Sequence, residues 1–431
     1  MTLYSGTAPV IYNLFPRYFD SIEAWHDAIP HIVEMGFNTV FINPVHECGF
    51  SGSMYAVKDY YRLDRKIIGP DADPGDWRAF RNFTAACDDQ GICVCVDLVI
   101  NHTAIDSVLV SRCPQWYRYD EQGEIVRPGA IDPANADNSV VWGDLAEIDN
   151  EHSSDRERLW QFWDRLVAFF QGMGVTAFRC DAAYKVPAPL WRWLIEKTRL
   201  RDSGTLFLAE SLGCLPEQVT ALRGCGFDYL FNSSKWWHFN EPWCLEQHAR
   251  YARIAPSISF PESHDTERLA SLPPGTIAAH KQRYLFAAVF SRGVLMPMGF
   301  EYGARTRIDV VHGSLGDSDE PQWDLSDWIG QVNRLKQDIP VIAAEGAWTL
   351  LNTWDASVVA LRKRLKGGEG SMVILVNRVE ESSATFAFSS LKPGAVPSRR
   401  RWIRPCAGSF RPVPCPGTVT LDPLEIACIL K

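Results

Sequence analysis

The chain has 431 residues, 46% hydrophobic and 22% charged, with 52 Asp and Glu against 43 Lys and Arg, for a formal charge of −9. Such a balance belongs to a globular chain with a large core, not to a disordered or fibrous one, and no basic run is long enough to track a phosphate backbone, so nucleic acid is excluded as a partner. Met1 to Pro9 has neither a basic nor an apolar leader segment, and no stretch approaches ~18 uninterrupted apolar residues, so the sequence predicts a cytoplasmic chain without a membrane span.

Short β-branched runs alternate with longer amphipathic stretches, the pattern of successive βα units around a parallel sheet. The predicted strands are Val10 to Phe15, Thr39 to Asn43, Ile92 to Val99, Thr176 to Cys180, Leu206 to Glu210, Phe227 to Phe231, Ser257 to Phe260 and Val294 to Met298. Eight of them predict a (β/α)₈ barrel. Ile22, Trp25, Ile29, Ile32 and Val33 form one helix stripe, closed by Gly36, and Leu159, Phe162, Trp163, Leu166, Val167 and Phe170 form another, ended by Gly172. Both are core stripes with no chemistry of their own.

The chain is longer than the roughly 250 residues of a plain barrel. Two additions account for the excess. Asn101 to Asn150 is rich in Pro, Gly, Asp and Asn and far exceeds an ordinary βα loop, so residues 101–150 read as an inserted domain within a barrel of residues 1–100 and 151–340. Residues 341–431 read as an antiparallel β-sandwich, from short alternating runs at Val358 to Leu361, Met372 to Val376, Thr385 to Phe388 and Leu424 to Leu430, with a hairpin turn at Lys366 to Gly370. Pro397 to Pro416 reads as loop. Of the twelve cysteines, Cys93, Cys95 and Cys180 lie inside apolar strands, which predicts reduced structural thiols, and no paired spacing suits zinc.

Acidic residues recur at predicted strand ends: Asp97, Asp181, Glu210 and Asp265. In a closed barrel these ends open onto one face, where residues distant in sequence converge. Val96 to His102, Gly174 to Ala182, Phe207 to Glu210 and Phe260 to Asp265 resemble, in this order, the short motifs of the α-amylase superfamily, glycoside hydrolase family thirteen. Tyr55 to Tyr60 is similar to that family's Tyr-x-x-x-Asp segment, and Gly293 to Gly303 to its eighth-strand motif, so the resemblance spans the barrel.

The resemblance implies a retaining α-glucan-active enzyme, with Asp181 as nucleophile, Glu210 as general acid/base and Asp265 as third carboxylate. Retention needs one carboxylate to attack the anomeric carbon and a second carboxyl to protonate the leaving oxygen. Arg179, two residues before Asp181 on one strand, points to the same side and favours the ionised nucleophile, while burial is expected to keep Glu210 protonated. Tyr55, Asp97, His102, Arg179 and His264 are the expected substrate-binding side chains, with Tyr55 stacking on a sugar ring and the two histidines meeting sugar hydroxyls. Trp236, Trp237 and Trp243 are possible platforms for outer glucose units. No cofactor is required for this chemistry. The family pattern allows a structural calcium on Asn101 and Asp144, although the residues around Asp144 depart from it.

The expected substrate is an α-1,4-glucan or malto-oligosaccharide, with water as the acceptor; glycosyl or maltosyl transfer through the same covalent intermediate is the alternative, and a non-catalytic sugar-binding homologue the remote one. Pro114 to Tyr117, Gly123 to Ile125 and Trp191 to Ile195 are similar to the α-1,4-glucan:maltose-1-phosphate maltosyltransferases. His102, His264 and the lack of room for an extra N-terminal domain separate the chain from them. Ser263 and Tyr184-Lys185 separate it from a standard amylase.

Overall fold

The structure, a computed structural model, describes residues 7–132, 135–314, 319–367, 370–396 and 400–430. The expectations for residues 1–6, for positions 368–369 of the hairpin turn and for residues 397–399 lie outside the described residues.

Eight parallel strands close a barrel: β1 Val10–Leu14, β2 Thr39–Ile42, β3 Cys93–Leu98, β4 Ala177–Cys180, β5 Leu206–Ala209, β6 Tyr229–Phe231, β7 Ser257–Ser259 and β8 Gly293–Pro297. Each strand pairs with its sequence neighbours, and β1 closes the ring by pairing with β8 (Val10 opposite Val294) and with β2 (Ile11 opposite Thr39). Alternate residues point into the lumen, which is filled by Ile11, Phe41, Cys95, Ala177, Leu208, Ile258 and Leu295. Two residues beyond five of these stand Asn13, Asn43, Asp97, Arg179 and Glu210. The strand period therefore carries each polar group from the apolar lumen to the carboxyl rim.

The helix stripe around Trp25 divides into a 3-10 turn, Glu23–Ala28, and a short α-helix, Ile29–Glu34. Pro30 sits at the start of that helix, where its missing N–H costs nothing. The break rotates Val33 off the buried face, so it is 38% exposed, contrary to the stripe drawn from spacing.

The insertion leaves β3 and returns through Leu145–Glu147, which pairs antiparallel with His102–Ala104. Asn150 joins its two ends: the side-chain amide donates to the Ile100 carbonyl at 2.8 Å, and its oxygen accepts from the Trp163 indole at 2.9 Å. Trp163 lies on the helix Arg156–Gln171 that follows, fully buried against Tyr60 and Phe162.

At the C-terminus a six-stranded antiparallel sheet faces a two-stranded one, Ala384–Ala387 with Thr418–Leu421, across a core of Val358, Val373, Leu375, Phe386, Val419 and Ile429. The Pro- and Arg-rich stretch read as loop contains two strands of the larger sheet, Arg401–Arg404 and Ser409–Pro414. Proline misled that reading: Ser409–Pro414 is an edge strand, where a residue without N–H leaves no ladder bond unmade. All twelve cysteines are free thiols. Among the described residues no helix is long and apolar enough to cross a membrane.

Trp163→Ala should cost about 3–5 kcal/mol in denaturant unfolding, because it opens a cavity and strips Asn150 of its donor. A loss below about 1 kcal/mol would contradict this account of how the insertion is anchored.

Candidate active site

The register of the barrel puts Arg179 on β4 directly opposite Asp97 on β3. The guanidinium, 4% exposed, donates to Asp97 Oδ1 at 2.7 Å and to Asp181 Oδ1 at 3.1 Å, and its Nη2 lies 3.6 Å from Asp265 Oδ2. One buried cation thus holds three carboxylates from separate segments. Around it, the Tyr55 hydroxyl donates to Asp97 Oδ2 at 2.7 Å, accepts from the Asn43 amide at 3.1 Å, and lies 2.7 Å from His264 Nε2. His264 Nε2 also sits 3.0 Å from Asp265 Oδ2, with its ring stacked on that of Tyr55.

Glu210 follows the last residue of β5 and is 7% exposed. Its two oxygens accept from backbone N–H groups, Oε2 from Ala182 at 3.0 Å and Oε1 from Leu212. Ala182, immediately after Asp181, adopts the left-handed conformation at φ 40°. Its N–H reaches across the site to Glu210. Burial pushes the Glu210 carboxyl up to about 8, assisted by Asp181 and Asp265 and opposed chiefly by Arg179. Burial also raises Asp97 to about 6, against the pull of Arg179. For Asp265 partial desolvation raises the value, but His264, Arg179 and Arg307 prevail and hold it below the usual carboxylate range.

Asp181, Glu210, Asp265, Tyr55, His102, Arg179 and Asp144 all line one cavity of about 440 Å³, walled further by Trp142, Tyr184, Leu212 and Trp236. Asp97 and His264 stand behind that wall, bonded to Arg179, Tyr55 and Asp265 rather than offered to a ligand. Both ring nitrogens of His102 face carbonyl oxygens, Nδ1 that of the Asn101 side chain and Nε2 the Tyr55 backbone at 3.1 Å. Protein groups thus hold both histidines, His102 at the cavity wall and His264 behind it. Of the three tryptophans, Trp236 is 45% exposed at the cavity, Trp237 is fully buried, and Trp243 packs half-buried on the helix Trp243–Tyr251.

The two backbone N–H groups on Glu210 are invisible in the sequence, because backbone donors carry no residue signature. Trp142 lies in a loop of the insertion and Tyr184 in the 3-10 turn Ala183–Lys185, where no periodic pattern marks a cavity wall. Asn43 was findable, since it ends a strand one inward step beyond Phe41, as Asp97 does beyond Cys95.

The calcium expectation does not fit this geometry. Ca²⁺ takes roughly six to eight oxygens, whereas the Asn101 side-chain oxygen is bound to His102, its amide donates to Asp181 at 3.3–3.4 Å, and Asp144 faces the cavity. Among the described residues no group of three His, Cys, Asp or Glu is placed to hold a metal.

A closed (β/α)₈ barrel with acidic groups gathered at its carboxyl rim defines the class: a barrel enzyme with a paired-carboxyl site. Comparison with known proteins makes it specific. The glucanotransferase-domain family of glycogen debranching enzyme matches residues 9–121. The α-1,4-glucan:maltose-1-phosphate maltosyltransferase of Burkholderia pseudomallei is 26% identical over 421 residues, covering 94% of this chain and 36% of the relative, and that of Myxococcus xanthus is 25% identical, covering 87% and 60%. The chain thus spans about a third of the first relative's length and three fifths of the second's. Among solved structures, an α-amylase from Lactobacillus plantarum aligns with a TM-score of 0.75 at 19% identity over 100% of both chains, and a maltogenic α-amylase from Thermotoga neapolitana with 0.75 at 20% identity over 98% and 99%. The chain is thus similar in sequence to maltosyltransferases and in fold to α-amylases, in line with the motif resemblance of its sequence.

The raised Glu210 value makes a thermodynamic prediction. A carboxyl whose folded pKa stands near 8, above an unfolded value of roughly 4.3, contributes stability that is full below the lower value and lost as pH rises through the higher one. Glu210→Gln should therefore raise the melting temperature at pH 8.5 by about 1–3 °C and change little at pH 4.5. An equal effect at both pH values would show that Glu210 is not held protonated.

Proposed function

We propose that the chain is a retaining α-glucan transglycosylase, which breaks α-1,4-glucosidic bonds through a covalent glycosyl-enzyme and delivers the glycosyl group to a carbohydrate acceptor. The observation that carries the chemistry is the pairing of opposite protonation demands in one cavity: Asp181 is ion-paired to Arg179, while burial keeps the proton on Glu210. The ionised Asp181 attacks the anomeric carbon as the Glu210 proton passes to the leaving oxygen, so no alkoxide is expelled. Glu210, now a carboxylate, takes the proton of the incoming hydroxyl as that oxygen displaces Asp181. Asp265 and Arg179 hold sugar hydroxyls and spread charge opposite the oxocarbenium-like centre.

The acceptor separates transfer from hydrolysis, and two observations support transfer over the water-acceptor expectation. The relatives that match most of the chain are named as maltosyltransferases, and the matching family is a glucanotransferase domain. Besides, Trp142, Tyr184, Leu212 and Trp236 give the cavity aromatic and apolar walls that suit the face of an acceptor sugar. The amylase-titled structures, at 19–20% identity, support the barrel alone.

With maltoheptaose, alone or with inorganic phosphate or maltose 1-phosphate, the enzyme should form longer oligomers at a constant number of reducing ends. Reducing ends that rise in step with substrate loss would overturn transfer in favour of hydrolysis. Asp181→Asn should lower turnover by about three orders of magnitude or more with an unchanged melting profile, since only the attacking oxygen is lost. Activity within tenfold of the parent would remove Asp181 from its assigned role.

A further inference from the structure

A second cavity of about 490 Å³ adjoins the first, sharing Trp236, Asp265 and Thr266 with it, and its remaining wall comes from the loops after β6, β7 and β8 and from the helix Ile277–Phe290. Its charge differs from that of the molecule. The chain is net acidic, yet Lys235, Arg283 and Arg307 all face this space. Arg307 is neutralised by Glu267 at 3.3 Å, and Asp265 by His264 and Arg179. Among the described residues neither Lys235 nor Arg283 lies within ion-pair distance of a carboxylate: Lys235 Nζ stands 5.4 Å from the Trp236 ring centroid, and Arg283 spends one N–H on the Trp237 carbonyl at 2.6 Å and lies over Phe239.

Two partly desolvated cations with no carboxylate in contact are costly: despite the more distant Glu262 and Glu267 around Lys235 and Glu380 near Arg283, burial lowers Lys235 to about 8 and Arg283 to about 10. An anion placed between them offsets that cost with charge-assisted hydrogen bonds from an ammonium and a guanidinium fork. Trp236, at the boundary of the two cavities, with Leu272 and Pro273 beyond it, supplies the apolar surface that a sugar ring covers. We propose that this second compartment binds an anionic substituent, a phosphate monoester or a carboxylate, of a carbohydrate whose ring lies at Trp236, next to the reaction cavity. The inference rests on the transglycosylase reading only in taking the ligand to be a carbohydrate.

Binding to the intact chain, measured by calorimetry without turnover, tests it. Glucose 6-phosphate and glucuronate should each bind about tenfold more tightly than glucose if one charge-assisted contact is gained. Their relative affinities tell phosphate from carboxylate. Lys235→Gln and Arg283→Gln should each abolish that advantage while maltoheptaose affinity stays within about twofold of the parent, and thermal melts of both variants verify the fold. Equal affinity for glucose and its anionic forms, or an advantage that survives Lys235→Gln, would overturn the proposal. So would inorganic phosphate binding as tightly as glucose 6-phosphate, since the sugar would then contribute nothing. Because no product is scored, a failure of glycosyl transfer leaves these outcomes readable.

Discussion

The site depends on one buried guanidinium. Arg179 is almost wholly removed from water, and it is compensated by the rings of Phe41 and Tyr55 beneath it and chiefly by the carboxylates it holds: Asp97 across the strand pair, Asp181 two residues on, and Asp265 from the far side of the barrel. Removing one side of such a cluster leaves uncompensated charge in a medium that cannot solvate it, so each member fixes the others. The same cation is ion-paired to Asp181 at 3.1 Å. Glu210 has backbone N–H donors but no arginine bonded to it, and burial dominates there. Burial also raises Asp97 despite its contact with the guanidinium, so the raised carboxyls are those most fully removed from water.

The barrel turns this local chemistry into a shared site through its register. Asp97 and Arg179 are 82 positions apart, yet they are opposite partners in a parallel ladder, and each follows an apolar lumen residue by one inward step. A slip of one residue in either strand would turn its polar group out of the lumen. The dry packing of the lumen therefore protects the geometry of the rim. Tyr55 extends the network outward, since its hydroxyl meets Asp97 and His264 while its ring forms part of the cavity wall.

The inserted segment and the loops after β6 and β7 give the reaction centre its surroundings. Trp142 and Asp144 come from the insertion, whose ends are clasped by Asn150 and Trp163, and Trp236 comes from the sixth loop. The cavities that meet at Trp236 differ in charge, one ringed by carboxylates around a paired arginine and the other holding two cations without carboxylate partners. A carbohydrate spanning both would be oriented by that contrast.

Much of this was readable in the sequence, because the features concerned are periodic or local. The eight strands stand out through β-branched alternation, and Asp181, Glu210 and Arg179 through their place at strand ends. What escaped was long-range or carried by the backbone. No local pattern tells that Asn150 clasps Ile100, that the Ala182 N–H reaches Glu210, or that proline in 409–414 sits harmlessly on a sheet edge. By itself the sequence determined which residues could bear charge at the barrel rim, since strand period and residue chemistry are properties of short segments. Only the tertiary structure decided which carboxyl is paired and which keeps its proton, that His102 and His264 are bound by protein groups, and that Trp236 rather than Trp237 faces the site. Those outcomes depend on burial and on contacts between distant segments, which exist only once the chain has closed on itself.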